Sequence, residues 1–188
     1  MARTVYFDTT IFIQMGARRS KHAKNIRLLV KELKAEKARI YTSILTVQEL
    51  SVATHRKGAV SRDVYGDIGK MARIYGLTKE VALTAAKREA ELKDLAGFDE
   101  DKRKKKNESE EEKLERICEN RRRKWDCFHI ATAQILNCGT VYSTDGDLKK
   151  RPKQLDLKHI KIVDPEPGPG NYEIDFDAAE QQRKNNEL

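Results

Sequence analysis

Four carboxylates, far apart in the chain, stand where an α/β protein does its chemistry. Asp8 ends the β-forming run "RTVYF" and precedes two threonines, and Asp145 lies one residue beyond "GTVYST". Parallel strands expose their carboxyl ends along one edge, where open α/β sheets bind ligands. Acids at two such ends are therefore brought together whatever their separation in sequence. Glu49, in "SILTVQELSVAT", has Leu45, Val52 and Ala53 at helical spacing, and a carboxylate on such a face is costly unless its charge is compensated. Asp126 opens "DCFHIATAQIL", which reads as a helix. Each acid also has a plain structural use. Asp8 and Asp126 suit N-caps, Thr46 with Glu49 fits a capping box, and Asp145 before Gly146 is a turn pair. As a cluster, however, four carboxylates raise one another's pKa unless a cation sits among them. A hard divalent ion, Mg²⁺ or Mn²⁺, takes oxygen ligands and keeps several waters. The chemistry such a set would support is metal-assisted hydrolysis of an anionic ester.

The elements needed to position these acids alternate along the chain. Segments 3–8, 38–43 and 139–144 are rich in Val, Ile and Tyr and read as strands, with 159–164 as a fourth. Between them, 21–36 carries Ile26, Leu29, Val30 and Leu33 at the spacing of an amphipathic helix. Segments 61–75 and 78–96 have similar periodicity, the latter with Thr78 as N-cap and Gly97 as stop. The helix from Asp126 places Phe128, Ala131 and Ile135 on one stripe and ends at Asn137 and Gly139. Strands alternating with helices predict an α/β fold, a three-layer α/β/α arrangement around a central parallel sheet. The expected domain runs over residues 1–163, followed by a peripheral extension over 164–188 with a short helix from Asp177. Residues 99–124, "DEDKRKKKNESEEEKLERICENRRRK", are almost wholly charged and read as a solvated insertion, part loop and part exposed helix. Glu112 with Arg116 and Glu119 with Arg123 stand at i,i+4 in its second half. A clamp that contacts phosphates through "KRKKK" and "RRRK" is the sharper alternative.

Composition sets the partners. The 188-residue chain carries a net charge of +8, with 38% hydrophobic and 36% charged residues, which favours a polyanion and nucleic acid first. No apolar run approaches the ~20 residues of a membrane span, so no membrane partner is expected. The N-terminus lacks the pattern of a secretory signal. Cys118, Cys127 and Cys138 form no CxxC pair, which points to reduced thiols and a cytoplasmic location. The chain contains no GxGxxG or P-loop.

The segments "VYFDTTIFI", "ILTVQELSVA", "WDCFHIATA" and "YSTDGDL", in that order, resemble the four signature segments of PIN-domain nucleases, which include the VapC-like toxins. The resemblance covers about residues 3–163. It implies a PIN-like fold and a metal-dependent endoribonuclease whose acids are Asp8, Glu49, Asp126 and Asp145, with Asp147 as a weaker ligand. Asp8 would hold the central place with Asp126 and Asp145 as further ligands, while Glu49 would bind a second ion or orient a water. Thr9 and Thr144 are candidates to hydrogen-bond these carboxylates or a phosphate oxygen, and ordinary capping accounts for them equally well. His129 falls on a neighbouring helical face; it reads first as a core histidine and second as a site residue. Trp125 reads as a packed indole or as a surface on which a base stacks. RNA is the implied substrate, Mg²⁺ or Mn²⁺ the cofactor, and an antitoxin protein and a homodimer the implied partners. The charged insertion and the tail depart from compact toxins. A haloacid-dehalogenase-like phosphatase would need D-x-D at the first site, where Thr10 stands instead of the second aspartate. A non-catalytic PIN-like module that binds RNA or protein is the alternative from another class.

Overall fold

The computed structural model describes residues 2–17, 19–56, 63–95 and 109–166. Its centre is β1 (Thr4–Phe7), a strand whose Val5, Tyr6 and Phe7 are all completely buried. Such a strand must be covered on both faces, as parallel sheets are. Val5 and Phe7 pack on one side with Ile11 and Phe12 of α1 (Thr9–Gly16) and Ile26, Leu29 and Leu33 of α2 (Ala23–Ala35). Tyr6, alternating to the other face, packs with Ala133 of α6 (Glu110–Ile135). The same period-2 rule divides the molecule into three layers. α5 (Lys79–Leu95) joins α6 on the second face through Val81, Ala85, Cys127, Ile130 and Ala131.

Five strands run parallel in the order β3-β2-β1-β4-β5, with β2 at Arg39–Ser43, β3 at Arg73–Tyr75, β4 at Thr140–Tyr142 and β5 at Lys161–Val163. Tyr6 stands opposite Tyr41 of β2 and Val141 of β4. The chain first winds outward from β1 through β2 to β3, then returns to the other side of β1 for β4 and β5. The order thus reverses between β1 and β4, the switch point where open α/β sheets form their crevice. α3 (Ile44–Arg56) follows β2 directly, and α7 (Gly146–Gln154) follows β4.

Two expectations are corrected. Segment 61–75 is not one helix: α4 (Val64–Gly69), capped by the Asp63 side chain, gives way to β3, which pairs with β2 at Thr42 opposite Ile74. Three residues are too few to display strand alternation, and the sheet's edge, not local pattern, selects them. The site helix does not begin at Asp126. It begins at Glu110, behind a complete capping box of Ser109 and Glu112, and runs unbroken for 26 residues. Glu, Lys and Arg are strong helix formers, and Glu119 pairs with Arg123 at 3.1 Å, so the second half of the charged stretch is helix although it buries little. Thr78 does cap α5, its hydroxyl accepting from Val81 N. The helix α6 stops in a left-handed residue at Asn137 (φ 51°), with Cys138 N donating to Ala133 O. Residues 99–108, Gly97 and the expected helix from Asp177 lie outside the described residues.

Candidate active site

Asp8 is the first residue after β1 and the N-cap of α1. Its backbone N–H donates to Tyr142 O, tying it to the end of β4. Its side chain is buried, and Oδ2 accepts from Thr10 Oγ1 and Ser143 Oγ, each at 2.9 Å. Ser143 also accepts from Asp145 N at 3.0 Å, so one serine aligns both strand-end acids. Asp145 caps α7, with Oδ1 taking hydrogen bonds from Asp147 N and Leu148 N. The capping roles of Asp8 and Asp145 are therefore real, and they fix each carboxylate while leaving the second oxygen without a capping bond.

Glu49 lies in the second turn of α3. The helix begins at Ile44, so Thr46 and Glu49 do not form its capping box. Thr46 is instead buried, its hydroxyl within hydrogen-bond distance of the hydroxyls of Thr42 (2.9 Å) and Thr9 (3.1 Å). Thr9 donates to Glu49 Oε2. Asp126 is buried on the middle of α6, not at a helix start, and accepts from Arg151 Nε of α7 at 2.9 Å.

His129 completes the arrangement. It is buried against the sheet, as a core histidine would be, yet Nε2 lies 3.6 Å from Asp8 Oδ1 and 3.5 Å from Glu49 Oε2. Nδ1 meets the Tyr6 hydroxyl at 2.7 Å. Burial disfavours its charged form, but the hydrogen bond to Glu49 and the charges of Asp8, Glu49 and Asp126 outweigh this and raise its pKa. For Glu49, burial is opposed by hydrogen bonds from His129 and Thr9, which hold its pKa below the usual value. Asp126 behaves oppositely. Burial pushes it up to about 6 despite Arg151, and the neighbouring charge of Asp145 adds to the rise.

The carboxylates thus form two pairs. Asp8 and Glu49 share the His129 ring, while Asp126 stands near Asp145 and is held by Arg151. Among the described residues no three His, Cys, Asp or Glu side chains close on a single ion-sized point. The donor set nevertheless fits a hard divalent cation, being all carboxylate, and Asp126, raised chiefly by burial and further by the charge of Asp145, is a buried carboxyl whose charge such a cation would compensate. Asp147 is not drawn in: it is exposed and paired with Lys150 at 2.8 Å. Thr144 contributes its backbone N–H, which donates to Thr10 Oγ1 at 3.0 Å. Ser143, Thr10 and Arg151 were not foreseen as site groups. Ser143 stood within "YSTDGDL", one residue before the threonine singled out, whereas nothing marked Arg151 among 38 Lys and Arg residues.

A doubly wound parallel sheet with carboxylates gathered at its switch point defines the architecture, an α/β domain with acids at its strand ends. The PIN domain family model matches residues 5–154, and the chain belongs to that family. PIN domains are generally metal-dependent nucleases. A search of curated proteins found no match.

Proposed function

We propose that this protein is a metal-dependent endonuclease that hydrolyses RNA. The observation that carries the reading is the meeting of Asp8, Glu49, Asp126 and Asp145, from four separate elements, around the His129 ring and Arg151. Asp8, Asp126 and Asp145 would hold Mg²⁺ or Mn²⁺, with Glu49 available to a second ion or to the attacking water. An ion held there would activate water for attack and stabilise the charge on the leaving oxygen. The chain's own residues do the positioning. Ser143 and Thr10 orient Asp8, Thr9 orients Glu49, and Tyr6 fixes the His129 ring. The His129 ring lies between the Asp8 and Glu49 carboxylates, 3.6 Å from Asp8 Oδ1 and 3.5 Å from Glu49 Oε2, and holds their relative positions. The cytoplasm, where nucleic acid is abundant and thiols stay reduced, suits three free cysteines. In the toxin role implied by the resemblance, an antitoxin would close the crevice with a basic side chain, as Arg151 does at Asp126. The proposed nuclease domain spans residues 1–163, with 164–188 appended.

The test is cleavage of single-stranded RNA, structured RNA and DNA with Mg²⁺, Mn²⁺ or EDTA, comparing the parent with Asp8→Asn. That substitution keeps the shape and removes the charge. Metal-dependent RNA cleavage by the parent that falls by at least about 100-fold in the variant is expected. A parent that binds RNA but never cuts it, with each metal, returns the protein to the non-catalytic class.

A further inference from the structure

A cleft of about 550 Å³ opens between α3 and α6, lined by Gln48, Glu49, Val52, Arg121, Lys124 and Trp125. Glu49 belongs to both the acid site and the wall of this cleft, so the two are continuous. On α6 the spacing of Arg121, Lys124 and Trp125 puts them on one face, and Gln48 and Val52 share a face of α3. Their chemistry is mixed in a particular way. Arg121 and Lys124 are exposed, and no described carboxylate forms an ion pair with either. Val52 is 45% exposed, an apolar surface with no cover among the described residues. Trp125 is partly buried and braced by Phe128, ring centroids 6.2 Å apart and tilted by 45°.

A flat aromatic surface beside two exposed cations and a side-chain amide is suited to a nucleotide. The base stacks on the indole, the guanidinium and ammonium meet the phosphate, and the amide offers donors and an acceptor to the base edge. We propose that the α3–α6 cleft seats one unpaired nucleotide of the substrate strand next to the scissile phosphate, its base on Trp125 and its phosphate at Arg121 and Lys124. This rests on the nuclease reading and narrows it. A base inside a duplex has both faces covered by its neighbours, so the cleft selects single-stranded substrate. The basic lining, in a chain of net charge +8, favours a polyanion over a protein segment.

Trp125 is the chain's only tryptophan, so its fluorescence reports on the cleft alone. The probes are a single-stranded RNA decamer, the same backbone with abasic residues, and the matched duplex, each added to the parent protein in EDTA so that nothing is cut. The decamer is expected to quench the emission, and the abasic strand and the duplex are not. Trp125→Ala should weaken decamer binding roughly 5- to 150-fold, while Trp125→Phe, which keeps a ring, should retain most of it. Replacing Arg121 and Lys124 together by Gln should reduce the slope of log affinity against log salt by about 1.4. Equal quenching by the abasic strand, undiminished binding by Trp125→Ala, or no RNA binding by the parent overturns the proposal. Emission that changes with protein concentration alone assigns the cleft to a second copy and also overturns it. Metal-dependent cleavage without quenching removes the nucleotide seat and leaves the nuclease reading standing. Quenching without metal-dependent cleavage does the reverse.

Discussion

Replacing Asp126 by Asn should stabilise the metal-free protein at high pH and not at low pH. The buried carboxyl titrates at about 6 in the fold, against 3.8 for the free side chain. A rise of about 2 units corresponds to roughly 3 kcal/mol. Below about pH 4 the group is protonated in both folded and unfolded chains and contributes no difference. As pH climbs from about 4 to about 6 the unfolded chain releases its proton while the fold retains it, so stability falls. Above about 6 the full penalty is in place. Asn carries no charge at any pH, and its amide oxygen can still accept from Arg151 Nε. Arg151 loses a counter-charge in the exchange, which offsets about 1 kcal/mol and leaves a net gain of roughly 2 kcal/mol. For a chain of this size that is an increase in Tm of about 4–8 °C at pH 8 in EDTA, shrinking toward zero or below near pH 4.5. Thermal melts across pH read the effect directly. Adding Mg²⁺ at millimolar concentration should raise the Tm of the parent and leave the variant little changed. A variant that melts below the parent at pH 8, or whose shift is the same at both pH values, would show that Asp126 carries no surplus charge in the fold.

Two further outcomes follow from the same geometry. Ser143→Ala removes one of the two hydroxyls on Asp8 Oδ2 and should raise the Mg²⁺ concentration for half-maximal cleavage by about 10-fold, with a Tm loss equivalent to about 1–3 kcal/mol, read by metal titration of the rate and by melting. A coloured disulfide reagent at pH 8 should titrate Cys118 alone in the native protein and all three thiols after denaturation. Cys118 is exposed, whereas burial pushes Cys127 and Cys138 up to about 12.

Asp8 and Asp145 were legible because a strand announces its own end. An apolar β-forming run halts at a capping acid, and parallel topology then brings such ends together without further information. Asp126 was legible as an acid on an amphipathic helix, but its place on that helix was not. The charged composition upstream looks disordered, and only the Ser109–Glu112 cap with good helix propensity reveals a continuous element. β3 was hidden because an edge strand of three residues is chosen by its neighbour β2, not by its own pattern. His129 was read chiefly as core, and it is; its other face meets two carboxylates that are 121 and 80 residues away, a contact no local window contains. Arg151 was hidden for the opposite reason, since a chain this rich in cations gives no sign of which one faces an acid.

The placement of β1 has a consequence in time. This strand lies at the middle of the sheet, beside β4, and the Asp8 carboxylate is held by Ser143 from 135 residues further on. During synthesis the growing chain therefore carries Asp8 and Glu49 long before it carries Ser143, Asp145 or Arg151. Pairings so distant in sequence form late in folding. The four-acid set is complete only when β4 and α7 have been made, so a chain interrupted before β4 holds at most three of the acids and lacks the Ser143 and Arg151 that orient them.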